Sequence, residues 1–569
     1  MLTRLSFLPA VLFASLLTQG SLRADEVLPP ASERFKEAAM GEEPSFQRHV
    51  LPLMGRLGCN GRACHGSFQG QGGFRLSLFG YDFKADHDAL TQGEKPRVNL
   101  KSPAESLITF KPTHEDEHEG GQRMDEGSWQ YNVFRKWIEA GAKDDSAAQA
   151  KLERLEVTPA EIQFVQDGQQ ASLRAIAVWS NGDREDVTPI CRFQTNDGTV
   201  AAVDETGLVK ATGRGDTHII VFYDNGITAV PVIQPVSAEI AAKYPQVPTP
   251  TKIDELVVQK LKKLGVVPSE LSADTEFLRR VSLDITGTLP TASEIKAFVA
   301  DASSDKRALK IDELLERPAY AAWWATRLCD LTGNNATQSG NPNFRNEESR
   351  QWFDWIEHRI AQNMPYDELV AGIVLATGRG EDQSFLDYCE EMSKYYRKND
   401  PVSFAEHETL PHYWSRRNVR NGEEKALSFA YAFLGVRLQC AQCHKHPFDQ
   451  WSKGDFEHFT AFFNNIQYGY RPADKAEREK LQASLGIDTK KPNNEQQKQI
   501  QAMANSGKTV PFQEVYINAR KANAKGKNDK KSSSSRVVTP KVLGGEEVAN
   551  AGEKSDLREA LMDWMRGPE

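Results

Sequence analysis

Apolar positions change their repeat several times along the chain, and each change marks an element. Val50, Leu53, Met54 and Leu57 fall at helical spacing and lead into Cys59, while Trp129, Val133, Phe134, Trp137 and Ile138 share one helical face that stops at Gly141. These two segments bracket a compact helical unit, expected over 46–146. From Leu155 to Pro235 the period drops to two, in Ala171 to Val178, Val200 to Val203, His218 to Tyr223 and Thr228 to Ile233. Turn residues at Asn181-Gly182, Asp197-Gly198, Gly213 to Gly215 and Asn225-Gly226 separate the runs, which predicts a β-sandwich over 153–236.

Past Pro248 and Pro250 helical spacing returns, from Ile253 through Phe277 to Leu283 and on to Phe463, so a mainly helical domain is expected over 250–466. Trp323, Trp324, Leu328 and Leu331, then Trp352, Trp355 and Ile356, read as core-facing helix stripes. Between 470 and 554 the composition turns to Lys, Asn, Gln, Ser and Ala, which predicts a flexible polar region. Leu557 to Trp564 regains helical periodicity, and 555–569 reads as the start of a truncated further domain.

Composition narrows the function classes. Length suggests about three or four domains in 569 residues. A net charge of -9 offers no general basic surface, which disfavours nucleic-acid binding. Arg4, the apolar run Leu5 to Leu17 and a polar stretch ending at Ala24 form the pattern of a secretory signal peptide over 1–24. The run is short for a membrane span, and nothing later supplies about 20 uninterrupted apolar residues. The expected mature protein is exported, periplasmic or at the cell surface, with no span after signal removal.

The chemistry is concentrated in the cysteines. Cys440-Ala441-Gln442-Cys443-His444 has the spacing of a covalent haem-attachment motif, two thiols for the vinyl groups and an imidazole for iron. Cys59, Cys64 and His65 repeat the theme with four residues between the thiols, a spacing that demands a departure from helix near Gly61. Cys440, Cys443, His444 and His446 also suit zinc, so the second site carries both readings.

For the first haem, the sixth ligand is expected from the loop before the closing helix, where His118 and Met124 stand. Gly120 and Gly121 would let the backbone approach a porphyrin edge, which favours His118. His407, His412 and His458 are candidate distal ligands for the second site, each more readily a solvent-facing histidine. Asp284, Asp330 and Asp449 are candidate carboxylates equally well read as caps or ion-pair partners. The remaining Cys191, Cys329 and Cys389 read as buried free thiols, with a Cys329–Cys389 pair as the alternative.

Three phrases carry a family resemblance: "GCNGRACHGSFQGQGGFRLSLFGYD" from Gly58, "FLRRVSLDITGTLPTASEIKAFVAD" from Phe277 and "CAQCHKHPFDQWSKGDFEHFTAFF" from Cys440. They resemble a planctomycete family of exported cytochrome c-like proteins with paired helical domains of unknown function. The stretch "LEVTPAEIQFVQDGQQASLRAIAVWSNGDREDVT" resembles a group 2 bacterial immunoglobulin-like domain. The resemblance implies a multidomain fold: an all-α cytochrome c-like domain, an all-β immunoglobulin-like sandwich, then a mainly α-helical domain with a flexible C-terminal region.

It also implies one or two covalent haem c groups and electron transfer with an unidentified redox partner protein. Polysaccharide or cell-surface contact stays open. The alternative is an exported hydrolase or polysaccharide-handling protein whose cysteine motifs are structural or bind zinc.

Overall fold

The computed structural model describes residues 27–37, 41–66, 69–92, 95–224, 226–380, 382–443, 446, 450–488, 490–518, 538–549, 551 and 556–567. The expected leader at 1–24 and His444 lie outside them. The chain is multidomain, a β-rich region followed by a helical region, and it divides into two units, 1–268 and 269–569. Among the described residues no helix is long and apolar enough to cross a membrane.

In the first unit a lobe of short helices precedes the strands. Its main elements are a π-turn Phe46–Val50 running into the helix Leu51–Arg56, then the helices Phe83–Thr91, Leu107–Phe110 and Trp129–Glu139. The closing helix starts where the Ser128 side chain accepts the Tyr131 N–H, and it buries Val133, Phe134, Trp137 and Ile138, the face its spacing predicts.

The strands form three sheets. One runs Val27–Leu28, Arg184–Asp186, Arg174–Trp179, Leu152–Thr158; the second runs Ile162–Gln163, Gly226–Gln234, Gly215–Tyr223, Arg192–Thr195; the third runs Gln170–Ser172, Leu208–Ala211, Ala201–Val203. Neighbours are antiparallel except the two short edge strands, Val27–Leu28 and Ile162–Gln163, which add in parallel. Alternating burial along Gly215–Tyr223 puts Thr217, Ile219 and Val221 inside.

Lobe and strands share one apolar core, in which Phe46, Leu53, Phe134 and Trp137 join Trp179, Val221 and Val230. The joint is also polar: Glu185, buried, accepts from Arg34 and from His49 (2.8 Å). Arg48 reaches Asp183 at 3.1 Å, and the Tyr223 hydroxyl donates to the Arg48 carbonyl at 2.8 Å.

In the second unit the helices Arg345–Ala361, Tyr366–Val374, Phe385–Tyr395 and Gly422–Phe429 surround an aromatic core that includes Trp355, Trp414, Phe429, Phe459 and Phe463. Trp352, Trp355 and Ile356 are buried as expected. The stripe on Pro318–Thr332 is different, because Trp324 and Leu331 are 42% and 47% exposed and the buried face is Ala321, Ala325, Cys329 and Thr332. Small residues let this helix lie close against Arg345–Ala361, and closeness outweighs side-chain size in choosing the face.

The region expected to be flexible differs over 470–518. It holds the helices Lys475–Ser484 and Asn493–Asn505 and a strand, Glu514–Ile517, paired antiparallel with Ile466–Gly469. Ile500, Ala504, Val510, Phe512 and Val515 reach the core, so a few apolar anchors order a polar stretch. The closing helix Leu557–Arg566 packs into the same core through Leu557, Leu561 and Met562. Arg558, wholly buried there, donates to the carbonyls of Val374, Leu375 and Ala376 and pairs with Asp556.

Candidate functional site

The attachment loop begins where the helix Leu51–Arg56 ends. Gly58 takes a left-handed φ of 81°, a conformation that costs glycine nothing, and the chain then folds into successive turns rather than helix. The His65 N–H donates to the Cys59 carbonyl (3.0 Å), the Cys64 N–H to Gly61 (3.0 Å) and the Gly66 N–H to Gly61 (3.0 Å). The longer spacing between the thiols is therefore absorbed by a closed loop that leaves both on the wall of one cavity. A Cβ on Gly66 would come within 2.0 Å of the Asn60 carbonyl oxygen, so the loop closes only around glycine there.

The cavity has a volume of about 600 Å³ and is lined by Cys59, Cys64, His65 and His118, with Phe74, Leu107 and Ile108 supplying apolar wall. That size lies within the ~300–1,000 Å³ typical of small-molecule and cofactor sites. The imidazoles of His65 and His118 both line it, ring centroids 6.4 Å apart and planes within 23°. With metal–imidazole bonds of about 2.0–2.1 Å, two rings on opposite sides of one metal have centroids about 6 Å apart.

Each ring is also held in one tautomer. Nδ1 of His65 lies 3.1 Å from the carbonyl oxygens of both Gln71 and Phe74, and Nδ1 of His118 lies 2.8 Å from the carbonyl of Gly121. A carbonyl only accepts, so both Nδ1 atoms carry a hydrogen, and the neutral form of each ring has its lone pair at Nε2. This second hydrogen bond is the usual companion of a metal-ligating histidine. Burial, with His118 and Arg97 nearby, lowers the pKa of His65.

The thiols are free. Burial, with Cys64 adjacent, pushes the Cys59 thiol up to about 12, so Cys59 is no reactive thiolate and a nucleophilic role is disfavoured. Among the described residues no three His, Cys, Asp or Glu side chains converge to hold a bare metal ion. The cavity thus offers two opposed imidazoles and two thiols spread along its wall, an arrangement that suits a macrocycle bringing its own equatorial donors.

Met124 is placed elsewhere. It is buried in the lobe's core and does not line the cavity, so of the two candidate sixth ligands the structure brings only His118 opposite His65. Sequence reasoning missed Asp86, a buried carboxyl that accepts from the N–H and hydroxyl of Ser77 and whose pKa burial raises to about 7. Nothing in its surroundings along the sequence signals that burial.

At the second motif Cys440 is half-buried in the 3₁₀ turn Gln439–Gln442 and Cys443 is exposed, both free. His444 lies outside the described residues, as does Asp449. The His446 N–H donates to Trp451 (2.8 Å).

Of the three distal candidates, none faces solvent freely. His412 is buried, stacked on Phe404 and within 3.0 Å of the Gln351 amide oxygen, and burial lowers its pKa to about 3. His407 also stacks on Phe404 and donates from Nδ1 to Thr409, while Nδ1 of His458 donates to Thr539. The solvent-facing reading of His412 is corrected by its packing, in which an aromatic neighbour replaces water. Asp284 and Asp330 are exposed on helix surfaces. Cys191, Cys329 and Cys389 are buried and unpaired.

Residues 252–468 match the family PSCyt2, described as a protein of unknown function (DUF1549). The matched stretch is similar to that family over less than half the chain; it contains Cys440 and Cys443 and excludes the cavity around His65. No curated protein matches the chain.

Proposed function

We propose that the chain is an exported multidomain c-type cytochrome, with haem c held covalently in the lobe and electrons passed to and from an unidentified partner. The observation that carries this reading is the pair of near-parallel imidazoles, His65 and His118, each with Nδ1 held by a carbonyl, and the two thiols on the same cavity wall. The resemblance of "GCNGRACHGSFQGQGGFRLSLFGYD" to exported cytochrome c-like proteins supports it, and so does the leader-like start of the chain.

In this reading Cys59 and Cys64 would hold the group through two thioether links, each S–H adding across a vinyl group with no atom lost. His65 and His118 are the residues that would ligate its iron. Bound haem supplies one-electron chemistry, and two imidazoles rather than imidazole and thioether set a lower potential. Phe74, Leu107 and Ile108 exclude water from the ring, and the Gln71, Phe74 and Gly121 carbonyls fix the imidazole orientation. A second haem at Cys440, Cys443 and His444 remains part of the proposal on the strength of its spacing alone.

The test is a pyridine haemochrome assay on protein matured in a host with haem-attachment machinery. Covalent haem c is expected, with Cys64→Ala removing one covalent linkage from the lobe. Zinc without iron in the purified protein would replace this reading with the hydrolase or polysaccharide-handling alternative.

A further inference from the structure

The wall of the lobe cavity carries three cations that its own chemistry leaves unused. Arg97, Lys111 and Arg123 all line it. Four carboxylates, Glu115, Asp116, Glu117 and Glu119, line the same cavity, yet among the described residues none of the three cations forms an ion pair with any of them. The charge of all three therefore stays available to an anion entering the cavity.

Arg97 is the most constrained. Its backbone is pinned on both sides, the N–H donating to Leu90 (2.8 Å) and the carbonyl accepting from Ile108 (3.1 Å). Its guanidinium lies 5.0 Å from the centre of the Phe74 ring, and Phe74 in turn packs on His65 with centroids 4.8 Å apart. The contact of Nη2 with the Gly72 carbonyl is long, 3.4 Å, and Nε is buried with no hydrogen-bond partner. An acceptor on a ligand in the cavity would satisfy this guanidinium. Lys111 donates to the Glu117 carbonyl, 2.9 Å away, and Arg123 lies close enough to Cys59 to act on its thiol electrostatically.

We infer that Arg97, with Lys111 and Arg123, forms an anion clamp that binds the carboxylate-bearing edge of the cavity's ligand. The inference rests on the haem reading above, in which the anions are the two propionates of the porphyrin. Arg is the suitable residue because its planar fork meets a carboxylate through two parallel N–H bonds, whereas Lys meets it as a point charge. The clamp fixes which edge of the ring faces the arginines. It also places positive charge next to the metal site, which favours the reduced state.

The experiment compares wild type, Arg97→Gln, Arg97→Lys and Arg123→Gln, each matured with covalent haem. Haem stoichiometry is read first and the midpoint potential is then followed from pH 5 to 9. If wild type takes up no haem, the proposed function fails and the clamp with it. If wild type is loaded, Arg97→Gln should lower the midpoint potential at pH 8, through loss of a positive charge and exposure of an uncompensated propionate.

The same variant should add a pH dependence in the neutral range, as that propionate protonates more readily. Arg97→Lys should restore most of the potential, and Arg123→Gln, on the exposed rim, should shift it in the same direction by less. A loaded Arg97→Gln protein whose potential and pH profile match wild type overturns the clamp while leaving the haem reading standing. Should Arg97→Gln fail to fold, an unchanged potential in both Arg123→Gln and Lys111→Gln overturns it equally.

Discussion

Gly120→Ala separates the stability of the lobe from the geometry of its site. A Cβ on Gly120 would stand 2.8 Å from Cε1 of His118, 3.2 Å from Nε2 and 3.3 Å from Nδ1, all inside ordinary van der Waals contact. The ring must therefore leave its place, and its hydrogen bond to the Gly121 carbonyl goes with it. That loss costs about 1 kcal/mol. Gly120 is not among the glycines with positive φ, so alanine fits the backbone there, and fewer unfolded conformations return about 0.4–1 kcal/mol.

The two contributions nearly cancel, and unfolding followed by denaturant should stay within ~1 kcal/mol of wild type. The His65–His118 pairing should nonetheless be lost. In the apoprotein the His118 ring signals should move in proton NMR. In haem-loaded protein the bis-imidazole absorption and EPR signature should give way to that of singly ligated metal. A Gly120→Ala protein with unaltered ring signals and an unaltered spectrum would refute the opposed-imidazole arrangement.

Met124→Leu should cost less than ~1.5 kcal/mol as a volume-conserving core change and leave the haem spectrum untouched; a lost axial signature would restore Met124 as ligand. Asp86 holds its proton in the native state to about pH 7 while the unfolded chain releases it near the ordinary 3.8, so lobe stability should fall as pH rises between those values and level off above. The linkage is worth at most about 4 kcal/mol, and Asp86→Asn should flatten the slope in urea titrations at several pH values; an unchanged slope would place the linkage elsewhere. Arg558→Met removes a wholly buried cation from three carbonyls and Asp556, and denaturant unfolding followed by tryptophan fluorescence should show a loss of about 3–5 kcal/mol, with less than ~1 contradicting the anchoring role of the closing helix.

Periodicity disclosed the local elements well. The closing helix of the lobe and the long strands Gly215–Tyr223 and Gly226–Gln234 fall where spacing put them, because their side chains face a core directly. It disclosed least where distant chain segments decide the outcome. Glu514–Ile517 is a strand because it pairs with Ile466–Gly469, and Trp324 faces outward because Ala321, Ala325 and Cys329 pack more closely. Cys59, Cys64, His65 and His118, which the sequence singles out, line one cavity. Its supports were not legible: the carbonyl partners of the two histidines and the arginine beside Phe74 are set by how the loops close.

The shared core of lobe and strands has a consequence for anything built around this protein. Val27–Leu28 is stitched to the edge strand Arg184–Asp186, and Glu185 is locked between Arg34 and His49. Excising 46–146 as a miniature carrier would expose raw apolar surface on both fragments and strand a glutamate without its cations. Fusions and tethers should treat 27–234 as one indivisible cassette, in which the cavity beside Cys59 and His65 keeps a constant direction relative to the strands.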